Sequence, residues 1–227
     1  MKYSNRTDLS FSHVKPVRPA SPDEFARLRL EVAGRDRLMV DCFYLAGLRP
    51  GELVGTSSSL GLRWCDINDH GDGSHSLKVY CSKTKRFRNA LVFQPLFSRL
   101  AAHRTLSGGG QTDFVFPAKD GGSWSTSAYG NWTNRVFNPA VKRAGLRSFT
   151  PFDLRHGYAL LIYRAGGNLK DVSEAVDISP EQAKVMYSRF LIGRRVELPI
   201  DPVSEIKTAI KEAEYQRNLR KGSDQNA

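Results

Sequence analysis

The sequence is poor in cysteine, with three in the whole chain. Cys42, Cys65 and Cys81 contain no Cys-x-x-Cys pair, so neither a zinc module nor a disulfide framework is predicted. Scattered cysteines in odd number indicate a reducing compartment. The sequence also lacks an apolar run of membrane-spanning length, and its N-terminus lacks the basic-then-apolar form of a secretion signal. Together these absences predict a cytoplasmic protein.

Acidic residues are too few to balance the basic ones. The 227 residues include 34 Lys and Arg against 23 Asp and Glu, which leaves a formal charge of +11 at pH 7. An excess of this size predicts an anionic partner, and a polyphosphate backbone is the commonest one. RNA and anionic membrane surfaces stay open on charge alone. The length suits one domain with appendages.

The periodicity of apolar residues predicts an α+β domain that is mainly α, with a small antiparallel sheet near the first third of the chain. Ser21 and Glu24 form a capping-box signature that opens the first helix, and Pro50 interrupts the second. Further helices are predicted over residues 96–106, 126–144, 153–165, 169–176, 180–190 and 202–220. We divide the chain into a basic extended arm (1–20), a main domain (21–190) and a basic C-terminal tail with a final helix (191–227).

The sheet is predicted from two short segments with a basic tip between them. Leu77, Val79 and Cys81 alternate as one strand, and residues 90–93 read as its partner. Residues 83–88 then form a basic hairpin tip, which either carries chemistry or is a solvated turn that touches a phosphate backbone. The basic residues expected to bind such a backbone are Lys85, Arg86, Arg88, Arg135, Lys142 and Arg143.

Two arginines and one tyrosine lie in settings that suit phosphodiester chemistry. Arg49 lies in Gly-Leu-Arg-Pro-Gly-Glu, Arg155 lies in Asp-Leu-Arg-His at the start of a helix, and Tyr187 lies on a later helix. Two guanidiniums can bind both non-bridging oxygens of one phosphodiester, and a phenol in line with the phosphorus can act as a nucleophile. Each residue has a plainer alternative: a surface ion pair for Arg49, a helix cap or salt bridge for Arg155, and a half-buried core position for Tyr187.

From about Ser21 to Phe190 the chain resembles the catalytic domain of the tyrosine recombinases, as in phage integrases. Residues 47–53 resemble the first arginine box of that family, and residues 153–156 resemble the second. Between them, Leu-Arg-Trp-Cys-Asp-Ile at residues 62–67 resembles the segment that follows the first box. The resemblance implies the catalytic-domain fold of this family, and site-specific breakage and rejoining of DNA through a 3′-phosphotyrosyl intermediate.

The resemblance also implies a role for four side chains. Arg49 and Arg155 hold the scissile phosphate and Tyr187 attacks it. Lys83 protonates the leaving 5′-oxygen as general acid, and Lys85 is a rival for that role. No metal or cofactor is implied, because the arginines take the electrostatic role.

Two neighbours of the arginines have less definite roles. Glu52 either orients the groups beside it or complements the dipole at a helix N-terminus. His156 follows Arg155, and we interpret it as structural.

The chain departs from the family at three positions. The family usually has histidine or lysine at the position of Phe152, histidine or tryptophan at that of Ile178, and glycine at that of Asp177. Neither Phe152 nor Ile178 can donate a hydrogen bond or move a proton. Each lost group typically costs about a hundred- to ten-thousand-fold in rate, so we predict a degenerate, weakened site.

The expected partner is double-stranded DNA, bound by a homo-oligomer and reached in the cytoplasm of a bacterial or phage system, at the nucleoid when bound. The helix over 202–220 resembles a tail that such proteins pack onto a neighbouring protomer, but it could equally fold back on its own domain. Residues 1–20 are too few for the N-terminal clamp domain of the family, so a full-length recombinase or another protein is a further candidate partner.

Two other functions stay open. One is an impaired integrase-fold DNA-binding protein that acts as a regulator or an architectural subunit. The other is a type IB topoisomerase-like relaxing enzyme, which the arginine boxes favour less.

Overall fold

The computed structural model describes residues 17–147, 149–191 and 201–224. In the first half of the chain the helices are α1 (Pro22–Leu30), α2 (Gly34–Leu45), α3 (Pro50–Val54) and α4 (Gln94–Ser107). The sheet lies between α3 and α4 and consists of β1 (Ile67–Asp69), β2 (His75–Cys81) and β3 (Arg86–Leu91). The second half contains α5 (Thr126–Trp132), α6 (Asn138–Arg143), α7 (Pro151–Arg164), α8 (Leu169–Ala175), α9 (Pro180–Leu191) and α10 (Pro202–Asp224). The predicted arm over 1–20 lies largely outside the described residues.

The early helices begin where the capping chemistry predicts. Ser21 accepts a hydrogen bond from the Glu24 backbone N–H at 3.2 Å, and Glu24 returns one to the Ser21 N–H, which confirms the capping box. The second helix ends at Leu45, three residues before the predicted end. Gly47 then turns the chain with a φ of +59°, and a Cβ there would lie 2.2 Å from the ring of Tyr158. This glycine therefore permits α7 to approach the turn before α3 closely.

The strands confirm an antiparallel sheet but correct its register. The order is β1-β2-β3, and Cys81 pairs with Arg86 while Leu77 pairs with Ala90. The prediction of a partner strand over 90–93 is wrong, because β3 begins four residues earlier. Arg88 causes the error: its side chain points inward beside Ala90 and is 8% exposed, so the buried face of β3 does not read as apolar.

The predicted helix over 126–144 is confirmed as one helical run with an internal irregularity. A π-helical segment, Thr133–Phe137, joins α5 to α6 with right-handed helical backbone on both sides. Trp132, Phe137 and Val141 from this run are buried in the core.

The core consists of two hydrophobic clusters that meet at α7. The larger cluster joins α1, α2, the sheet and α4 to α6, and Leu154 and Leu161 of α7 belong to it. The smaller cluster joins the other side of α7 to α8 and α9, through residues that include Tyr158 and Val176. Helix α7 therefore carries Arg155 to the boundary between the two clusters.

The last helix folds back on its own domain. Helix α10 packs on α1, Ile206 is fully buried, and Glu205 pairs with Arg164 of α7 at 2.6 Å. Arg217 donates to the backbone carbonyl of Leu30 at 2.9 Å. Of the two alternatives for this helix, the isolated chain adopts the intramolecular one. Across the described part of the chain, no helix combines the length and apolarity needed to span a membrane.

Candidate active site

Arg49 enters the site at the N-terminus of α3. It is the N-cap residue, with φ −78° and ψ 153°, because Pro50 disfavours helical geometry at the residue before it. Glu52 accepts a hydrogen bond from the Arg49 backbone N–H at 2.8 Å and pairs with Arg49 Nη1 at 2.9 Å through its other oxygen. The sequence left two roles open for Glu52, at the helix N-terminus and in orienting a neighbouring group. Glu52 makes both contacts, with the N-terminus of α3 and with the Arg49 guanidinium.

The Glu52 carboxylate joins three arginines from separate parts of the chain. Arg88 of β3 donates from Nη2 to Glu52 Oε2 at 2.8 Å, and Arg155 Nη1 lies 3.5 Å from the same oxygen. The side chains of Glu52, Arg88 and Arg155 are 2%, 8% and 5% exposed, whereas that of Arg49 is 20% exposed. These four residues, which we call the Glu52 cluster, form a buried base from which Arg49 reaches the surface.

Arg155 is engaged by protein atoms. Its Nη1 donates to the carbonyl of Gly47, and its Nη2 donates to the carbonyl of Val176. Arg155 therefore ties the turn before α3 to the end of α8, and its charge lies behind Arg49. The structure brings the two predicted clamp arginines together, but it directs these Arg155 donors to backbone oxygens.

A carboxylate occupies the outer side of the Glu52 cluster. Asp177 Oδ1 accepts from Arg86 Nη2 at 2.9 Å. Its Oδ2 accepts from Arg49 Nη1 and from Thr84 Oγ1, each at 3.3 Å. We call Arg49, Thr84 and Arg86 the oxyanion site, because two guanidiniums and a hydroxyl converge there on one anionic group.

The backbone explains how Asp177 reaches this position. Its φ is +43°, in the left-handed region that glycine adopts freely and that Asp and Asn tolerate best among the other residues. Arg49 Nη2 also donates to the Asp177 carbonyl at 2.9 Å. The residue that replaces the usual glycine of the family thus keeps the backbone geometry of a glycine and adds a charge.

The hairpin tip, which consists of residues 82–85, lies at the edge of the same site. Thr84 contacts Asp177, so its neighbours Lys83 and Lys85 flank the oxyanion site; both are exposed. Lys85 has a φ of +52°. The structure does not favour one lysine over the other, and the assignment of Lys83 stays a prediction.

The buried Tyr187 of α9 and the half-buried His156 of α7 form a hydrogen-bonded pair. The Tyr187 side chain is 1% exposed, and its hydroxyl lies 2.8 Å from His156 Nδ1. The two rings meet edge to face, with centroids 5.8 Å apart. Sequence reasoning missed this contact: His156 does not face away from the site but reaches the predicted nucleophile.

The two positions predicted to be degenerate differ in their surroundings. Phe152 lies in the first turn of α7 and is 48% exposed, which is unusual for a large apolar side chain. Ile178 is half-buried and packs against the smaller hydrophobic cluster. Phe152 therefore presents an apolar ring to the solvent where the family places a polar group.

The remaining predicted DNA contacts divide into exposed and internal residues. Arg135, Lys142 and Arg143 are exposed on the helical run over 126–143, although Arg143 pairs with Glu31 at 3.1 Å. The prediction that Arg88 lies on an exposed tip is wrong, because Glu52 and the carbonyl of Ala175 hold it inside the domain.

The balance between burial and nearby positive charge determines the ionisation of Glu52 and Asp177. Burial alone would raise the pKa of Glu52, but the charges of Arg88 and Arg155 lower it overall. Burial likewise opposes ionisation of Asp177, but hydrogen bonds with Cys81 and Arg86 hold its pKa well below the usual range. Both groups are therefore anionic at neutral pH.

The ionisation of Arg155 and of the tyrosine pair follows mainly from burial. Burial and the charge of Arg88 lower the pKa of Arg155 to about 9, so it stays protonated at neutral pH. Burial raises the pKa of Tyr187 to about 12 even though the charges of Arg155 and Arg49 lower it. Burial lowers the pKa of His156. The pair is therefore a neutral phenol beside a neutral imidazole.

No group of three or more His, Cys, Asp or Glu side chains suited to a metal ion occurs in the described ranges. Arg49 and Arg86 can bind an oxyanion. Arg155 adds positive charge behind them, and the phenol of Tyr187 lies nearby.

Comparison with known proteins supports the same fold. Residues 23–188 match the phage integrase family. The chain is 30% identical over 154 residues to a tyrosine recombinase XerC of Xanthomonas campestris pv. campestris (strain B100), a match that covers 68% of this chain and 44% of that protein. The chain thus spans about half the length of the curated relatives it matches.

Solved structures share the fold. A XerH site-specific recombinase in its post-cleavage complex with a palindromic difH substrate superposes with a TM-score of 0.61 at 18% identity, over 79% of this chain and 52% of that one. A lambda integrase dimer bound to a COC′ core site superposes with a TM-score of 0.55 at 20% identity, over 83% of this chain and 64% of that one. The mainly helical architecture with a small antiparallel sheet is that of tyrosine recombinase catalytic domains.

Proposed function

The chain belongs to the phage integrase family, and we propose that it breaks and rejoins duplex DNA at a specific site through a 3′-phosphotyrosyl intermediate. The observation that carries this proposal is the oxyanion site. Arg49, Arg86 and Thr84 already hold one carboxylate at hydrogen-bond distance, which is the geometry that a phosphodiester oxygen requires. The relatives named above are tyrosine recombinases, which supports this chemistry.

In the proposed mechanism the scissile phosphate displaces the Asp177 carboxylate from the oxyanion site. Arg49 then contacts a non-bridging oxygen, and Arg155 stabilises the developing charge from behind it. Glu52 keeps both arginines in place, because it pairs with both of them. The phosphate is thus held by side chains that are already organised before DNA binds.

Covalent chemistry follows from two further residues. Tyr187 Oη attacks the phosphorus through a pentavalent transition state, and Lys83 protonates the leaving 5′-oxygen. The 5′-hydroxyl of another strand then reverses the step and completes the exchange. Lys85 remains the alternative general acid, since both lysines flank the site.

We further propose that the protein acts as a homo-oligomer on duplex DNA in the cytoplasm. The dimeric lambda integrase complex with the same fold supports the assembly. Exchange of α10 to a neighbouring protomer would require it to leave α1 of its own chain, where it buries Ile206.

A second candidate function is a DNA-binding protein of the same fold whose chemistry is impaired. Three features favour it: Asp177 fills the oxyanion site with a negative charge, and Phe152 and Ile178 cannot donate or move a proton. Such a protein would regulate recombination or hold DNA sites together. It would bind the same duplexes without forming a covalent bond.

The two functions are separated by trapping the covalent intermediate. Duplexes selected by the protein from a random-sequence library are prepared with a nick at successive positions, so that a cleaved fragment carrying the 5′-hydroxyl diffuses away. We expect a protein–DNA adduct on a denaturing gel. We expect the adduct to be lost in Tyr187→Phe, which lacks the nucleophilic hydroxyl.

The matched control is Tyr163→Phe, which removes a half-buried hydroxyl from α7 outside the site and should leave the adduct intact. Selection of duplexes without an adduct at any nick position would instead establish the impaired DNA-binding protein. An adduct that persists in Tyr187→Phe would assign the nucleophile to another residue.

A further inference from the structure

We propose that His156 is the proton acceptor for Tyr187 during strand cleavage, a role that depends on the proposed function above. The geometry carries the proposal: His156 Nδ1 lies 2.8 Å from Tyr187 Oη, within the range for direct proton transfer. The rings meet edge to face at an interplanar angle of 60°, so α7 and α9 hold them in a fixed mutual orientation.

A proton acceptor is needed because the nucleophile is buried. Burial raises the pKa of Tyr187 to about 12, so the phenol is neutral when DNA binds. A neutral phenol is a weak nucleophile unless a base removes its proton in the transition state. The base must lie at hydrogen-bond distance from Oη, as His156 does.

The positions where the family carries polar groups cannot supply this base. Phe152 has no acceptor atom, and its ring is 48% exposed at the first turn of α7. Ile178 also has none and packs against the smaller hydrophobic cluster. His156 lies one helical turn after Phe152 on the same helix, and one of its nitrogens contacts the phenol. It can therefore take the role of the polar side chain that Phe152 replaces, from a position that follows Arg155 in the sequence rather than preceding it.

Burial and the charges around His156 and Tyr187 keep the imidazole neutral and able to accept a proton. On its own helix Asp153 favours the protonated imidazole, and Arg155 disfavours it. Around Tyr187 the facing charges are those of Arg155 and Arg49. Burial outweighs the effect of Asp153 and lowers the pKa of His156. The ring is therefore neutral, and the proposed transfer uses the tautomer with its proton on Nε2, which presents the Nδ1 lone pair to the phenol.

The step balances without an added reactant. As Tyr187 Oη forms its bond to phosphorus, its proton moves to His156 Nδ1. The bond from phosphorus to the 5′-oxygen breaks, and the 5′-oxygen takes a proton from Lys83. His156 ends as the imidazolium and Lys83 as the neutral amine. Rejoining reverses both transfers.

The test uses the nicked duplex identified by covalent trapping and measures single-turnover cleavage against pH. We compare His156→Asn, whose amide can keep a hydrogen bond to Tyr187 but cannot take a proton, with the wild-type protein. We expect His156→Asn to slow cleavage by about a hundred- to ten-thousand-fold with unchanged affinity for DNA. The wild-type rate should show an acid limb that lies below the ordinary histidine value of 6.5, because burial lowers the pKa of His156, whereas the variant should lose this limb.

Two further measurements separate proton transfer from packing. In His156→Ala, added imidazole should restore part of the rate, because it can enter the space that the side chain leaves. A duplex with sulfur in place of the bridging 5′-oxygen should rescue Lys83→Ala but not His156→Asn, because a thiolate leaves without a general acid. His70→Asn, at an exposed histidine of the β1–β2 turn, is the control and should cleave normally.

The outcomes distinguish this proposal from the function on which it depends. Wild-type cleavage with an equal rate in His156→Asn would overturn the role of His156 and leave the recombinase chemistry intact. Rescue of His156→Asn by the sulfur-bridged duplex would likewise place the defect at the leaving group. The absence of an adduct with wild-type protein would overturn both proposals.

Discussion

Asp41 and Glu52 are buried carboxylates that each bind several arginines, and they differ in what lies around them. Asp41 of α2 is 1% exposed and pairs with Arg29 of α1 at 2.7 Å and with Arg99 of α4 at 2.9 Å. Glu52 pairs with three arginines and connects through Arg49 to the outer carboxylate of Asp177. The first cluster joins three helices, whereas the second leads from the interior to a surface.

The two sites show how hydrogen bonds and nearby charges oppose burial in setting the pKa of a buried acid. At Asp41, burial raises the pKa despite the charges of Arg29 and Arg99. At Glu52, the charges of Arg88 and Arg155, with hydrogen bonds from the Arg88 side chain and the Arg49 backbone N–H, outweigh burial and lower the pKa. Burial dominates at Asp41, whereas the hydrogen bonds and charges that oppose it dominate at Glu52.

The largest effect is expected from neutralising Glu52. Glu52→Gln leaves the buried charges of Arg88 and Arg155 without their counterion, which should lower the free energy of unfolding by about 3–5 kcal/mol. The positions of Arg49 and Arg155 should also be lost, so DNA cleavage should fall at least a hundredfold, as for removal of a transition-state donor. Urea unfolding and covalent trapping measure the two effects.

Asp41→Asn is the matched control for Glu52→Gln. We expect a cost of about 1 kcal/mol or less, because burial already opposes ionisation of Asp41 and its arginines reach the solvent in part. DNA cleavage should be retained. If Asp41→Asn reduced cleavage as much as Glu52→Gln does, the contrast between a structural and a functional cluster would be wrong.

A smaller effect is expected at the outer carboxylate. Asp177→Asn removes the negative charge that competes with a phosphate for Arg49 and Arg86, and asparagine tolerates the left-handed φ of +43°. We expect DNA to bind about tenfold more tightly at low salt. The logarithmic salt slope should steepen by about one, as for one additional phosphate contact. Fluorescence anisotropy across a salt series measures both quantities.

Asp72→Asn removes an equivalent charge from the exposed turn before β2, at the opposite end of that strand from Cys81. It should change DNA affinity much less than Asp177→Asn does. Weaker binding by Asp177→Asn would mean that Asp177 supports the DNA-bound state rather than competing with it.

The sequence identified Arg49, Arg155 and Glu52 as candidate site residues, but it did not predict which atoms they contact. The arginine boxes identified Arg49 and Arg155, and capping chemistry with apolar periodicity located the helices. The partners are distant in sequence: Arg49 reaches Asp177 across 128 positions, and His156 reaches Tyr187 across 31. Local patterns carry no information on such pairings, so the contacts of Asp177 with Arg49 and of His156 with Tyr187 became visible only in the folded chain.

The strand β3 shows the converse limit. Sequence reasoning locates a buried strand by its apolar alternation. Arg88 breaks that alternation and is nevertheless buried, because the distant Glu52 compensates its charge. A buried ion pair with a residue distant in sequence therefore interrupts the pattern by which this strand would be recognised.

The smallest expected effect is a difference in how the two clusters respond to acid. The lowered pKa of Glu52 means that its stabilisation is present above its ordinary value of 4.5 and is lost as the pH falls through the folded-state value. The raised pKa of Asp41 has the opposite sign: its contribution falls as the pH rises from 3.8 through the folded-state value. Relative to wild type, Glu52→Gln should therefore look less destabilised at about pH 4 than at pH 7, and Asp41→Asn should look more destabilised. Urea midpoints of the wild type and both variants at the two pH values measure these differences. If the destabilisation of both variants changed in the same direction with pH, the same effect, burial or pairing, would dominate at both carboxylates.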